Sequence, residues 1–433
     1  MKYDYKTALD YLYNLEKFGI SLGLHKISAL LNPFNNPQDK LKVIHIAGTN
    51  GKGSTAAILE SILLYHGYKV GLYTSPHLVR FNERIRINQQ EITDEDIVYY
   101  VNKFKPIADK INLKDPVTFF DFTTAVAYKY FYDKNVDFAI METGLGGTLD
   151  STNIVRKPYV AIITNISLEH EEFLGSTLTD IAREKGGIIK ENIITVTGEV
   201  KEEPLHVLKK IALEKNSKFF ILSESVKIEK KTPYFNYFSK NHSFQKLKIN
   251  LSGDYQIYNA SLSIFSLECA HFNLQEDLLK KALINVKWEG RYEKVKKSPL
   301  FIIDGAHNPA GAELLAKNIK KENYSKLILI ISVMSDKNID EIFKKLLPMA
   351  HTIIFTKAKL DRAADFNTLQ SKAEKFGKPY KFCKNISEAI IEAEKNATND
   401  DLILFTGSLY AAGEAKEFFG GEKTKFSVGN KYK

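Results

Sequence analysis

The stretch "VIHIAGTNGKGSTAAILESIL", residues 43 to 63, constrains the fold more than any other part of the chain. Val43, Ile44 and Ile46 read as a buried strand, and Ile58, Leu59, Ile62 and Leu63 recur at helical spacing. Between them runs Gly48 to Gly53, small or flexible residues and one lysine. Glycine lets the main chain come close to a ligand, N–H groups at a helix start point outward, and Lys52 adds a point charge. Such a turn is a cradle for phosphate. It departs from the Walker pattern, because only two residues separate Gly48 from Gly51 and Gly53 stands between Lys52 and Ser54. The plain alternative is a glycine-rich turn with an exposed lysine. The order strand, loop, lysine, hydroxyl, helix is the one phosphate binding requires.

The same alternation of apolar runs and helical patterns continues almost throughout, the mark of an α/β protein with a mainly parallel sheet. "KVIHIAG", "KVGLYTS", "DFAIMETG", "YVAIITNI" and "IITVTG" read as strands, with "FTTAVAYKYFYDKN" and "LTDIAREKGGIIK" as helices between them. A less regular segment from about Phe219 to Leu251 reads as an antiparallel insertion. The period is lost in the polar "KWEGRYEKVKKSP" and restarts with "LFIIDGAHNP", "KLILIIS", "TIIFTKA" and "DLILFTGSLY". We therefore expect a P-loop-type ATPase domain over 1–294 and a smaller, Rossmann-like α/β domain over 295–433. A length of 433 residues fits two or three domains.

Composition narrows the function classes. A hydrophobic fraction of 44% with 26% charge excludes disorder as the main state. Cys269 and Cys383 lie in no metal-ligand spacing, the N-terminus lacks the apolar core of a signal peptide, and no apolar run spans a bilayer. A reducing, cytoplasmic setting is expected. The net charge of +9 raises nucleic-acid binding, but lysines alternate with acids, as in "KKENYSK", with no block of five like charges. Solvated helix faces or attraction of small polyanions explain that pattern as well.

In doubly wound sheets ligands sit beyond the carboxyl ends of the strands. The residues there are Gly48 to Ser54, Ser75 to His77, Glu142 to Gly147, Asn165 to His170, Asp304 to Asn308, and Gly407 to Ser408. Glu142 ends a strand and precedes "TGLGG"; a carboxylate beside a triphosphate meets Mg²⁺, which takes oxygen ligands, although a turn carboxylate looks the same in sequence. His170 lies among Glu169, Glu171 and Glu172, as a metal ligand or as part of a solvated helix start. Lys185 in "IAREKGGIIK" contacts phosphate, carries a carbamate formed with CO₂, or pairs on the surface with Glu184 or Glu191.

Taken in order, "GTNGKGS", "SPHLVRFNERI", "VTFFDFTTA", "ETGLGG", "LDSTN", "EKGGI", "DGAHNP" and "GSLY" resemble the folylpolyglutamate synthase and dihydrofolate synthase family of the Mur ligase superfamily. The resemblance runs from about Tyr11 to the end of "GSLY". It implies an ATP-dependent amide ligase whose loop Thr49, Asn50, Gly51, Lys52, Gly53 and Ser54 holds the ATP phosphates. It also implies Mg²⁺, two ions in number, on Ser75, Glu142 and His170, with a carbamylated Lys185. Further ATP contacts map onto Asn259, Arg291 and Asp304. The pterin side maps onto Thr118, Phe119, Phe120 and Asp121, with more substrate contacts at Leu149, Asp150 and Ser151. Three positions depart from the family pattern: Thr148 stands where arginine is common, Glu289 replaces the proline of "PGR", and Glu169 replaces the aspartate before the metal histidine.

The chemistry implied is a carboxylate attacking the γ-phosphate of ATP to give an acyl phosphate, which the amine of L-glutamate then captures. Lys52 offsets the charge that gathers, and closure of two domains around the substrates aligns the amine and excludes water. His307 beside Asp304 is a candidate for orienting phosphate or substrate, or else a turn histidine. "SPHL", with His77, looks closer to members that make dihydrofolate, so the acceptor is dihydropteroate, a reduced folate, or both. The expected partners are these small molecules, with no nucleic acid and no membrane, and the chain is expected to be a monomer. Two other readings remain. One is a ligase of the same fold acting on a uridine-nucleotide-linked cell-wall precursor, against which only about forty residues precede the loop. The other is a non-catalytic, nucleotide-regulated nucleic-acid-binding protein.

Overall fold

The computed structural model describes residues 3–19, 21–112 and 115–420. They fall into two compact units. The first takes in Met1–Ser75, Asn82–Asn250 and Gln256–Lys287, and the second Pro76–Phe81, Leu251–Tyr255 and Trp288–Lys433.

The first unit is built on an eight-stranded sheet in the order β4-β3-β2-β5-β1-β6-β7-β8. Its strands are β1 (Val43–Ala47), β2 (Val70–Tyr73), β3 (Ile85–Ile87), β4 (Gln90–Glu91), β5 (Phe138–Glu142), β6 (Val160–Ile163), β7 (Ile194–Thr197) and β8 (Lys218–Ile221). All are parallel except the β3–β4 hairpin at one edge, which the sequence pattern did not reveal. β1 is central and fully buried, with β5 on one side and β6 on the other. That is why it reads as a continuous apolar run, without the alternation of a half-exposed strand. In register, Ile46 faces Glu142 and Ala47 faces Ile163, so the carboxyl ends of β1, β5 and β6 open side by side.

The helix Lys52–Tyr65 after β1 is buried from Gly53 to Leu63, which requires cover on every face. The helices Asp254–Cys269 and Glu276–Asn285 supply part of it: Ser263 Oγ donates to the Thr55 carbonyl at 3.3 Å and Ser61 Oγ to that of Ala282 at 2.8 Å. The expected insertion is a three-stranded antiparallel sheet of β9 (Lys227–Lys231), β10 (Tyr234–Phe238) and β11 (Ser243–Leu247). It starts after β8, because the apolar "KFFI" pairs with β7 in the main sheet.

The second unit has a six-stranded sheet in the order β12-β13-β17-β14-β15-β16. Its strands are β12 (Glu293–Lys297), β13 (Leu300–Ile303), β14 (Leu327–Ile331), β15 (Thr352–Phe355), β16 (Tyr380–Phe382) and β17 (Leu402–Thr406). Only β12 is antiparallel. Apolar clusters cover both faces, one around Leu329 and Phe343 and the other around Ile330 and Ile390. The units divide between Lys287 and Trp288, inside the polar "KWEGRYEKVKKSP" but earlier than 294/295, and the later part of that stretch, Glu293–Lys297, forms β12, paired to β13. Lysines at the exposed positions of an edge strand hide its character in the sequence. No helix among the described residues is long and apolar enough to cross a membrane.

Candidate active site

The loop after β1 is fastened to the strand end of β6. Thr49 N–H donates to the Asn165 carbonyl at 2.8 Å, Asn50 N–H to Asn165 Oδ1 at 3.1 Å, and Thr164 Oγ1 and Asn165 Nδ2 both donate to the Asn50 carbonyl at 2.8 Å. Thr49 Oγ1 donates to the Ser167 carbonyl at 3.1 Å and accepts from its N–H at 3.0 Å. Gly48 has φ +139°, and a Cβ there would lie 1.9 Å from Thr164 Oγ1. Gly51, with φ +89°, would bring one to 2.8 Å from Asn259 Oδ1. Both glycines are thus fixed by backbone conformation and by close approach. Asn259 sits beside this turn and donates to Gln256 Oε1 at 2.9 Å, while Gln256 Nε2 donates to Ser54 Oγ at 3.2 Å. Lys52 Nζ folds over the loop onto the carbonyls of Gly48 (2.9 Å) and Thr49 (3.2 Å).

Lys185, near the end of the helix Leu178–Gly186, is 1% exposed. Its Nζ donates to the Gly48 carbonyl at 2.9 Å and to Glu169 Oε1 at 2.7 Å, so its acidic partner is neither Glu184 nor Glu191. Burial pushes the Lys185 amine below the usual lysine range, Glu169 pulls it back, and Lys52 adds to the lowering. Burial works to raise Glu169, but Lys185, Lys52 and His170 together hold it at about 2. The helix does not run on through "GGIIK". It stops at Gly186, where added side chains would collide with Ile211 and, at Gly187, with Thr148.

Of the expected metal ligands, Glu142 is buried at the end of β5 and accepts from Ser75 N–H at 3.3 Å. His170 occupies the left-handed region, φ +49°, as the residue before the short helix Glu171–Leu174. Among the described residues no three His, Cys, Asp or Glu side chains gather as a metal site. The Ser75 hydroxyl, a hard oxygen donor, would have to complete the set, and oxygen donors suit Mg²⁺.

The expected acceptor residues form a network of their own. Thr118 caps the helix Phe119–Asp133 in a capping box with Asp121, and Asp121 also accepts from Thr118 Oγ1 and Ser151 Oγ, each at 2.7 Å. Lys26 Nζ, fully buried, lies 3.9 Å from Asp121. Asp150 is spent internally: it accepts from the N–H groups of Gly144 (2.9 Å), Leu145 (2.8 Å) and Thr152 (2.9 Å), against a burial that raises its carboxyl. Phe119 is sandwiched between Tyr13, stacked at 5.9 Å, and the Arg84 guanidinium at 5.0 Å. Phe120 packs at Gly144, while Leu149 is exposed and offers its carbonyl to Gly23 N–H.

Comparison with known proteins gives the family. The Mur ligase middle domain matches residues 46–267, and the glutamate ligase domain of Mur ligases matches 290–409. The chain is 35% identical over 419 residues to a dihydrofolate synthase/folylpolyglutamate synthase of Bacillus subtilis, covering 94% of this chain and 97% of the relative. The chain belongs to the folylpolyglutamate synthase and dihydrofolate synthase family. It is an ATP-dependent ligase with the Mur ligase fold. A Mycobacterium tuberculosis folylpolyglutamate synthase complexed with ADP superposes with a TM-score of 0.90 at 29% identity, covering 97% of this chain and all of that one (100%). A bifunctional folylpolyglutamate synthase/dihydrofolate synthase from Yersinia pestis, complexed with AMPPNP and Mn ion, gives 0.86 at 27%, covering 95% and 97%. Neither a cell-wall precursor nor nucleic acid is favoured by these relatives.

Within this ligase the departures from the family pattern have local explanations. Thr148 donates through both N–H (2.9 Å) and Oγ1 (3.1 Å) to the Glu184 carbonyl, so it closes the end of the helix that carries Lys185. Glu169 reaches Lys185 directly. Glu289 pairs with Lys416 at 2.6 Å.

In the second unit, Asp304 follows β13 and accepts from Tyr292 N–H and Ala306 N–H, each at 2.8 Å. Burial raises its carboxyl and Arg291 opposes the rise. His307 Nδ1 meets the Gly305 carbonyl at 2.8 Å, and Asn308 caps the helix Pro309–Ile319. The sequence places Asn165 and Ser167 at a strand end but gives no sign that they hold the glycine loop, and Thr164 and Gln256 carry no signal at all. It shows Glu169 only as a neighbour of His170. Arg84, buried against Phe119, carried no signal beyond its place in "NERI".

Proposed function

We propose that this ligase joins L-glutamate to dihydropteroate, to the γ-carboxyl of a reduced folate, or to both, through an acyl phosphate. The observation that carries the reading is the meeting of Lys52 and Lys185 on the Gly48 carbonyl, at the mouth of a glycine loop held open by two positive-φ glycines. A cradle with the Lys52 ammonium and outward N–H groups suits the phosphates of ATP, and Lys185 anchors it from below.

Lys52 moves from the loop carbonyls onto phosphate oxygen when nucleotide fills the cradle, and offsets the negative charge that grows as the acceptor's carboxylate attacks. Asn259 orients the turn at Gly51. Ser75, Glu142 and His170 are proposed to hold Mg²⁺, which supplies charge neutralisation and polarises the phosphoryl group. Thr118, Asp121 and Ser151 present a fixed polar edge to the pterin, with Phe119 and Phe120 giving the flat apolar wall a conjugated ring needs. Arg291, Asp304 and His307 are proposed as further nucleotide and orienting groups. Lys185 is proposed as a carbamate: its burial favours the neutral amine that adds CO₂ with loss of one proton, and Glu169 must then release it. ATP consumption favours a cytoplasmic enzyme, and a monomer is proposed with it.

The test is ADP release by purified protein. It should require L-glutamate, Mg²⁺ and a pteroate-type acceptor together. Failure of both dihydropteroate and tetrahydrofolate would overturn the substrate assignment, while a response to only one would fix the enzyme as synthase or chain extender.

A further inference from the structure

Away from the glycine loop, the first unit carries a second cavity, of 640 Å³, between the three-stranded sheet and the helix Glu276–Asn285. That volume is in the range of small-molecule sites. Four lysines line it: Lys246 on β11, Lys248 just beyond it, and Lys280 and Lys281 on the helix. Tyr234 and Ile284, both large and exposed at 43% and 48%, provide apolar surface. Asp277 is the single carboxylate of the lining. Lys280 is paired with Glu276 at 2.7 Å, whereas among the described residues no carboxylate pairs with Lys246, Lys248 or Lys281.

The backbone is shaped toward this pocket. The β10–β11 ladder shifts register between Phe235 and Tyr237, and across the break Lys246 takes φ +53°, a conformation that costs a non-glycine residue free energy. Asn236 Oδ1 holds it there by accepting from Lys246 N–H at 2.9 Å. An irregularity of this kind re-aims a side chain. Beyond Lys248, Asn250 ties the floor to the helix end, its N–H donating to the Leu283 carbonyl (3.0 Å) and its Nδ2 to that of Val286 (3.2 Å). Like charges are therefore gathered on two elements that are fixed to each other, and among the described residues three of the four lysines have no carboxylate paired to them.

We propose that this pocket binds a small molecule bearing several separated negative charges, and specifically the oligoglutamate tail of a folate product. The lysines stand on two walls, which suits anions spaced along a flexible chain more than one compact phosphate. Lysine ammonium groups also accept carboxylates without the planar geometry arginine imposes. The choice of tail rests on the function proposed above; the anion site does not.

The test uses the full-length protein and the charge-reversed variant Lys248→Glu/Lys281→Glu, neither residue belonging to the proposed active site. Calorimetric titration with penta-γ-glutamate at low salt should show binding that weakens about tenfold or more in the variant, because two attractive charge pairs are lost and replaced by repulsion. It should weaken in both proteins as salt is raised. ADP release with a monoglutamate acceptor should stay unchanged in the variant, which also reports that it folds. If inorganic tripolyphosphate binds in a lysine-dependent way and pentaglutamate does not, the tail is overturned. If neither ligand distinguishes the two proteins, the site itself is overturned. Absence of ADP release from the wild-type protein would count against the ligase substrate instead, and leaves the titration readable.

Discussion

Lys185 and Glu169 form a buried ion pair, Nζ to Oε1 at 2.7 Å, and the same Nζ reaches the Gly48 carbonyl at 2.9 Å. One lysine therefore couples the helix Leu178–Gly186, the segment leading to His170, and the first glycine of the loop.

Glu169→Gln should destabilise the protein by about 3–5 kcal/mol at neutral pH, because it leaves a buried ammonium without its carboxylate. The sign of the pH dependence follows from Glu169 being held at about 2 in the folded protein against a usual 4.5. Its stabilising contribution is complete above about 4.5 and is lost as pH falls toward 2. Wild type and variant should differ most at neutral pH and converge in acid when thermal unfolding is followed across that range. A constant gap would mean that the carboxylate is not held low.

Gly48→Ala should abolish nucleotide binding. Its Cβ would stand 1.9 Å from Thr164 Oγ1, and φ +139° is unfavourable for any side chain. Thr164→Ala alone loses one hydrogen bond to the Asn50 carbonyl, about 1 kcal/mol. Combined with Gly48→Ala it should relieve the collision but not the backbone strain. Nucleotide-dependent shifts in melting temperature should therefore rank wild type, Thr164→Ala, the double variant and Gly48→Ala in descending order.

Much of the fold was legible because parallel strands buried on both faces leave uninterrupted apolar runs, as in β1, β5 and β6. The β3–β4 hairpin was not, since β4 is two residues long and exposed. β12 was not, because an edge strand with three lysines and a glutamate in five residues looks like a linker. At the site, glycines and Lys52 announce themselves through spacing. The part that Thr164, Asn165 and Ser167 play in fastening the loop does not, because it arises only from the register of β1 against β6. Asp150 illustrates the converse: a polar residue in a loop motif can be consumed by the turn it stabilises.

Lys52→Ala should lower kcat by about 10²–10³, the effect of removing one preorganised group that faces developing charge. Lys52 contacts only loop carbonyls in the protein alone, so stability should change little. The KM for L-glutamate should hold. Steady-state ADP release with each substrate varied in turn separates this from a general loss of folding.

Ser151→Ala and Asp121→Asn should separate acceptor recognition from the support of a buried lysine. Ser151→Ala removes one hydrogen bond to Asp121, worth about 0.5–1.5 kcal/mol, and leaves Lys26 facing a carboxylate. Its melting temperature should fall slightly, while KM for the pterin-bearing acceptor rises up to about tenfold and KM for ATP stays fixed. Asp121→Asn additionally strips the buried carboxylate that faces Lys26 and disturbs the Thr118 cap, so it should lower the melting temperature clearly as well as raise the acceptor KM. If both variants lose stability yet bind the acceptor as wild type does, Thr118, Asp121 and Ser151 serve the helix start alone, and the pterin is read elsewhere.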